Sequence, residues 1–196
     1  MDQKKSSLMK KSTGPNKLKA AVFISGTGSN LMNLIKFSKK DPLIEVKVVI
    51  SDNSKAKGLG FARKFKIKNK IFNFKNKKKD ENKILKFLEK NKINLICLAG
   101  FMKILSKNFI KGFKGKILNI HPSLLPKYKG LNTHERVILN SEKFTGCTVH
   151  LVNSKLDSGK IIMRKKVKIY KNDNPEILAK RVLKQEHILY PKAIKK

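Results

Sequence analysis

The chain has 196 residues, a formal net charge of +34 at pH 7, 40% hydrophobic residues and two cysteines. That length suits one α/β domain burying around 70% of its unfolded surface, two cysteines cannot make a disulfide scaffold, and no apolar run reaches the ~18 residues of a membrane span, so a cytoplasmic protein with no membrane partner is expected. The charge invites nucleic acid, but the basic residues are lysines spread from end to end among Asn and Ile, apart from Arg63, Arg136, Arg164 and Arg181; compositional drift is the preferred reading, with no dedicated nucleic-acid site and a field that helps attract anionic ligands.

Residues 1–17 are polar, lack the apolar stretch of a signal peptide and carry Gly14-Pro15, so a disordered extension precedes a single domain over 18–196. Apolar runs predict strands near 19–24, 44–51, 71–74, 94–98 and 117–120, and helical spacing predicts helices near 30–40, 58–66, 80–91 and 133–140. Alternation of this kind makes an open, mostly parallel twisted sheet with helices on both faces, a Rossmann-like α/β fold. Lys75 to Lys79, the densest basic run, reads as a solvated loop or helix start. Thr145 to Val152 and Ile161 to Tyr170 follow without a crossover helix, so antiparallel strands are expected toward the C-terminus, joined by a loop carrying Asp157. Asn174-Pro175 is a helix start, with Asn as N-cap and Pro at the first helical position, for a last helix running toward Tyr190.

Two places carry chemistry. Ile24-Ser25-Gly26-Thr27-Gly28-Ser29-Asn30 is a strand end, a glycine turn and a helix start. Backbone N–H groups at a helix N-terminus favour phosphate, and Gly26 and Gly28 would let the anion approach closely. Leu31 occupies the third glycine position of a dinucleotide fingerprint and the Gly-Lys-Ser/Thr of a P-loop is absent, so a single phosphate monoester fits best; a turn serving only topology is the alternative. Further on, Asn119-Ile120-His121-Pro122 ends an apolar strand, because Pro122 cannot continue a ladder. Asn119 and His121 share a face through the period of two, at the carboxyl end of a strand where open α/β sheets bind ligands. With Asp157, they suit attack of an amine on an activated acyl or formyl group: Asn119 donates to the oxyanion, His121 donates and manages the proton, and Asp157 orients the imidazole and favours its charged form. Taken alone, Asn-x-His is equally a loop histidine capping a turn.

Together with Leu98-Ala99-Gly100-Phe101-Met102-Lys103-Ile104-Leu105-Ser106, Leu118 to Tyr128, Gly130-Leu131-Asn132-Thr133-His134, Leu156-Asp157-Ser158-Gly159 and Gln185 to Pro191, these motifs run in order from Lys19 to Ile194. The chain resembles the folate-dependent phosphoribosylglycinamide formyltransferases of purine biosynthesis. The resemblance implies that Asn119, His121 and Asp157 are catalytic and that 10-formyltetrahydrofolate is the formyl donor. It also implies that Gly28, Ser29 and Asn30 hold the ribotide 5'-phosphate, that Glu186 helps hold its sugar, and that Met102, Lys103, Ile104 and Leu105, with Asn119, line the folate site. Asn132 stands where the family commonly has histidine, and Ser158 where a glycine is common. Lys77 and Lys103 stand where arginine is frequent, so contact with the folate's glutamate tail keeps the charge and loses the planar fork.

Partners are therefore expected to be small-molecule substrates, with monomer or homodimer left open. No metal is expected, since no His/Cys/Asp/Glu cluster has ligand spacing; Cys97 and Cys147 read as buried strand residues, His134 as a substrate-side or capping residue, His150 as packed against a neighbour and His187 as structural. The same Asn-x-His and Asp arrangement occurs in formyltetrahydrofolate hydrolases and in methionyl-tRNA formyltransferases, whose extra N-terminal or C-terminal regions are not expected here. A lysine-rich nucleic-acid binder is the alternative from another class.

Overall fold

The computed structural model describes residues 17–196, so the extension expected over 1–17 lies outside the described residues except for Lys17. The elements in chain order are β1 (Leu18–Ile24), α1 (Ser29–Lys40), β2 (Ile44–Ser51), α2 (Gly58–Lys64), β3 (Lys68–Ile71), α3 (Lys77–Lys90), β4 (Leu95–Leu98), α4 (Lys107–Gly112), β5 (Lys116–His121), α5 (Thr133–Leu139), β6 (Phe144–Leu151), β7 (Ile161–Lys168) and α6 (Pro175–Ile194). They build a seven-stranded sheet in the order β3-β2-β1-β4-β5-β6-β7. Pairing is parallel from β3 to β5, while β6 and β7 join antiparallel, as expected.

The continuous apolar run of β1 is explained by burial on both faces, which is what a central parallel strand requires. Ala20, Val22 and Ile24 face one core with Leu31 and Leu34 of α1, Leu59 of α2 and Leu178, Val182 and Leu189 of α6. Ala21 and Phe23 face the other, with Ile84 and Leu88 of α3 and Phe109 of α4. After β3 the chain returns past β1 to lay down β4, so β1 and β4 flank the point where the winding reverses, and a crevice opens beyond their carboxyl ends. The turns there are stitched together: Ser25 N–H donates to the Gly100 carbonyl at 3.1 Å and Met102 N–H to Ser25 Oγ at 2.8 Å.

Four expectations shift. The third strand is Lys68–Ile71, exposed along its length, and not 71–74. As an edge strand it lacks an apolar run, and the apolar residues that suggested it belong to the exit: Phe72 N–H donates to the Ser51 carbonyl at 2.9 Å, and Phe74 turns the chain away at φ 59°. Helix α3 begins three residues early, inside the lysine run, because the Asn76 side chain accepts the Lys79 N–H at 3.1 Å. The short α4, capped by Ser106 accepting from Phe109 N–H at 3.1 Å, was not expected. Finally, α6 continues through Pro191 to Ile194. Proline cannot donate to the carbonyl four residues back, and Asn33 Nδ2 of α1 donates to that His187 carbonyl at 2.6 Å instead.

Candidate active site

Strand β5 brings Asn119 and His121 to its carboxyl end. His121 is buried, at 5% exposure. Its Nε2 lies 2.8 Å from the Tyr128 carbonyl and its Nδ1 lies 3.4 Å from Asp157 Oδ2. A carbonyl and a carboxylate both accept, so the two partners are complete only for a ring with both nitrogens protonated. Burial nevertheless outweighs them and holds the His121 pKa below the ordinary histidine value, with the Tyr128 carbonyl and Asp157 pulling it back up. The Tyr128 carbonyl is aimed by a braced loop: Ser123 Oγ donates to the Lys127 carbonyl at 2.7 Å, Thr148 Oγ1 donates to the Ser123 carbonyl at 2.7 Å, and Leu125 N–H donates to Thr148 Oγ1 at 3.1 Å.

Asp157 sits in the β6–β7 loop in the left-handed region at φ 44°, a conformation that must be stabilised by its surroundings. Its Oδ2 accepts from Gly130 N–H at 2.9 Å, its Oδ1 accepts from Asn119 Nδ2 at 3.4 Å, and His150 Nε2 is 3.6 Å from Oδ1. Burial raises its pKa, but the His150 contact, the Gly130 N–H and the two imidazoles outweigh burial and hold the carboxyl below the usual range. Asn119, His121 and Asp157 are therefore brought together, and a fourth member joins them. His150 was expected to be a packed neighbour; at 2% exposure it lies 3.2 Å from Asn119 Nδ2 through its Nε2. Its participation follows from the β5–β6 register, which sets Asn119 opposite His150, a pairing that leaves no mark in the local sequence.

The glycine turn leads into α1 with Gly28 as a left-handed N-cap at φ 77° and no side-chain cap. Gly28 also has a packing role that the sequence does not show. A Cβ there would lie 2.5 Å from the Gly58 Cα, so its missing side chain admits the start of α2. Gly26 faces open space, with nothing within 4 Å of a Cβ, and its carbonyl accepts from Gly58 N–H at 3.0 Å. An anion over Gly26 would meet the unpaired N–H groups of the first turn of α1. The Asn30 side chain is buried against α6, its Nδ2 donating to Glu186 Oε2 at 2.7 Å, and its backbone N–H lies in the first turn of α1. Glu186 is 7% exposed, and burial raises its pKa against that hydrogen bond.

On the other side of the crevice, Met102 and Ile104 are exposed at 59% and 62%, whereas Leu105 is buried in the second core. Leu105 thus holds the loop from below. The loop end is tied to α3, since Ser106 donates through N–H and Oγ to Glu81 at 2.8 Å and 2.5 Å. Phe101 packs edge-on to Phe23 and Phe74, with centroids 5.3 Å and 5.7 Å apart. Lys103 Nζ lies 4.0 Å from the buried Asp52 carboxylate, and Lys77 is exposed one helical turn before Glu81. Cavities of about 580 Å³, beside Tyr128 and Phe144, and about 140 Å³, beside Phe37 and Ile194, take in none of the trio. Both cysteines are free and buried, their thiols pushed up to about 12 by burial. Among the described residues no group of three or more His, Cys, Asp or Glu is placed to hold a metal ion.

An α/β sheet with an amide, an imidazole and a carboxylate converging at the carboxyl end of β5 is an arrangement that suits acyl transfer. The formyl transferase family model matches residues 18–194, and the chain belongs to that family. It is 42% identical over 181 residues to the phosphoribosylglycinamide formyltransferase of Haemophilus influenzae, covering 90% of this chain and 85% of that one. It is also 42% identical over 188 residues to the bovine trifunctional purine biosynthetic protein adenosine-3, covering 93% of this chain and 18% of the relative's length. The crystal structure of the phosphoribosylglycinamide formyltransferase of Anaplasma phagocytophilum superposes with a TM-score of 0.86 at 41% identity, over 92% of this chain and 86% of that chain.

Proposed function

We propose that the protein transfers a formyl group from 10-formyltetrahydrofolate to the amine of 5'-phosphoribosylglycinamide, giving formylglycinamide ribonucleotide and tetrahydrofolate, in the cytoplasm. The observation that carries this reading is the closure of Asn119 and His121 by Asp157 through contacts of 3.4 Å each, beside a glycine turn that opens a helix. The ribotide phosphate would rest over Gly26 on the N–H groups of Ser29 and Asn30, with Glu186 toward the sugar. The folate would lie along Met102 and Ile104, its glutamate tail toward Lys103 and Lys77. Leu105 contributes by holding this loop.

The substrate amine attacks the formyl carbon, forming the new C–N bond and moving the carbonyl electron pair onto oxygen. Asn119 and protonated His121 donate to that oxyanion, His121 by releasing the N–H that faces the Tyr128 carbonyl, each such donor being worth about 3 kcal/mol. Collapse breaks the bond to the folate nitrogen, which leaves with the proton that the amine gives up. Asp157 holds the imidazole in place and supports its charged form. No nucleophilic side chain is required, because the amine belongs to the substrate. The direct test is an absorbance assay of formyl transfer with the purified protein, a formyl-folate donor and glycinamide ribonucleotide. Turnover with the ribotide supports the reading, and release of formate alone would replace it with hydrolysis.

A further inference from the structure

The segment from Tyr128 to Asn132 supplies two backbone groups that close the site. The Tyr128 carbonyl lies 2.8 Å from His121 Nε2, and the Gly130 N–H donates to Asp157 Oδ2 at 2.9 Å. The segment does this in an unfavourable conformation. Tyr128, Gly130 and Asn132 all lie in the left-handed region, at φ 56°, 78° and 55°, and for tyrosine and asparagine such a backbone persists only where the surroundings hold it. Helix α5 provides the hold. Arg136 Nη1 donates to the Lys129 carbonyl at 2.7 Å and to the Leu131 carbonyl at 3.3 Å, while its guanidinium lies over the Tyr128 ring, 5.3 Å from the centroid. The Tyr128 hydroxyl donates to Glu142 Oε1 at 2.9 Å, which keeps that ring in place.

We infer that Arg136 is a positioning residue that aims the Gly130 N–H at Asp157 by holding the other end of the same peptide group. The Lys129 carbonyl and the Gly130 N–H belong to one planar trans unit, so they point in opposite directions. A guanidinium on the oxygen and a carboxylate on the N–H fix that plane from both ends, and each bond polarises the unit in the sense that strengthens the other. The chain has four arginines among its 47 basic residues. At position 136 the flat guanidinium stacks on Tyr128 while its edge reaches two carbonyls, a combination that a lysine ammonium does not reproduce.

This inference rests on the reading of Asp157 as a member of the catalytic group, and the test separates the two. Formyl-transfer kinetics would be compared for R136A, R136K, D157A and R136A/D157A, alongside the assigned Gly130 amide resonance of glycine-labelled wild-type, R136A and R136K protein. R136A should lower kcat about tenfold with little change in either KM, the equivalent of one hydrogen bond to a charged group. Its Gly130 amide proton should move upfield as the bond to the carboxylate weakens. R136K, which keeps a charged donor and loses the flat stacking group, should fall between R136A and wild type in both readouts. In D157A the Gly130 N–H has lost its acceptor, so adding R136A should cost nothing further. Full kcat in R136A, a reduced kcat with an unmoved Gly130 resonance, or multiplying losses in the double variant would overturn the inference. Full activity in D157A would instead overturn the site reading beneath it, while the Gly130 resonance would still report whether Arg136 aims that N–H.

Discussion

His121 joins two opposed effects: burial, which disfavours its charge, and two acceptors within 3.4 Å that favour it. A His121→Ala variant should lose about 10²-fold or more in turnover, the range of a general acid or base, while isothermal titration shows ribotide affinity nearly unchanged, because the imidazole acts on charge that develops during reaction. Asp157 pulls the imidazole pKa upward against burial. Asp157→Asn should therefore let that pKa fall further and, because the protonated ring is the active form, move the alkaline limb of the kcat/KM profile to lower pH, along with reduced turnover. A profile with an unmoved alkaline limb would remove Asp157 from the catalytic group.

At the scale of elements, the contacts among α1, α2 and α6 decide where the substrate ends of the helices lie. Gly28 and Gly26 separate packing from binding. Gly28→Ala places a Cβ 2.5 Å from the Gly58 Cα at a left-handed φ, so it should cost roughly 1–3 kcal/mol in urea unfolding. Gly26→Ala meets nothing within 4 Å. It should leave the unfolding midpoint alone and raise the ribotide KM, with no such rise for a riboside lacking the phosphate. Glu186 shows a related conflict. Its raised pKa means that the folded state holds the proton more tightly than the unfolded state, so its contribution is present below the ordinary carboxyl range and lost as pH rises through the folded value. Glu186→Gln keeps an acceptor for Asn30 Nδ2 and adds a donor for Asn30 Oδ1, which has no hydrogen-bond partner. Thermal melts should show a gain in Tm that grows as pH rises above the ordinary carboxyl range, accompanied by a higher ribotide KM.

For the molecule as a whole, the +34 charge is the property that local chemistry does not absorb. Lys77, Lys78 and Lys79 occupy the first turn of α3, where the helix dipole disfavours cations. Changing Lys75, Lys77, Lys78 and Lys79 to glutamine should therefore raise Tm slightly and leave turnover at saturating substrates intact. Any kinetic effect should be a higher folate KM, because Lys77 stands one turn from the Glu81 that anchors the folate-side loop. RNA should compete weakly at low salt and barely at physiological salt, where the Debye length is about 8 Å. Nanomolar RNA binding that survives physiological salt and vanishes in the quadruple variant would make the charge a functional surface.

What the sequence by itself determined is whatever depends on near neighbours in the chain. The buried runs of β1, β2, β4 and β5, the glycine turn before α1, the Asn174 cap of α6 and the pairing of Asn119 with His121 on one strand face all follow from period, turn chemistry and capping over a few residues. Where those signals are weak, the reading slipped: β3 has no apolar face, α4 is barely a turn and a half, and an asparagine cap overrode the repulsion within the α3 lysine run. Only the tertiary structure decided what crosses between elements. It set His150 against Asn119 by strand register, closed Asp157 on His121 from a loop 36 positions further on, spent the Gly28 vacancy on Gly58, and turned the Asn30 side chain to Glu186 across 156 positions. Such contacts depend on packing among surfaces far apart in sequence, and no local pattern of residues specifies which pair will meet.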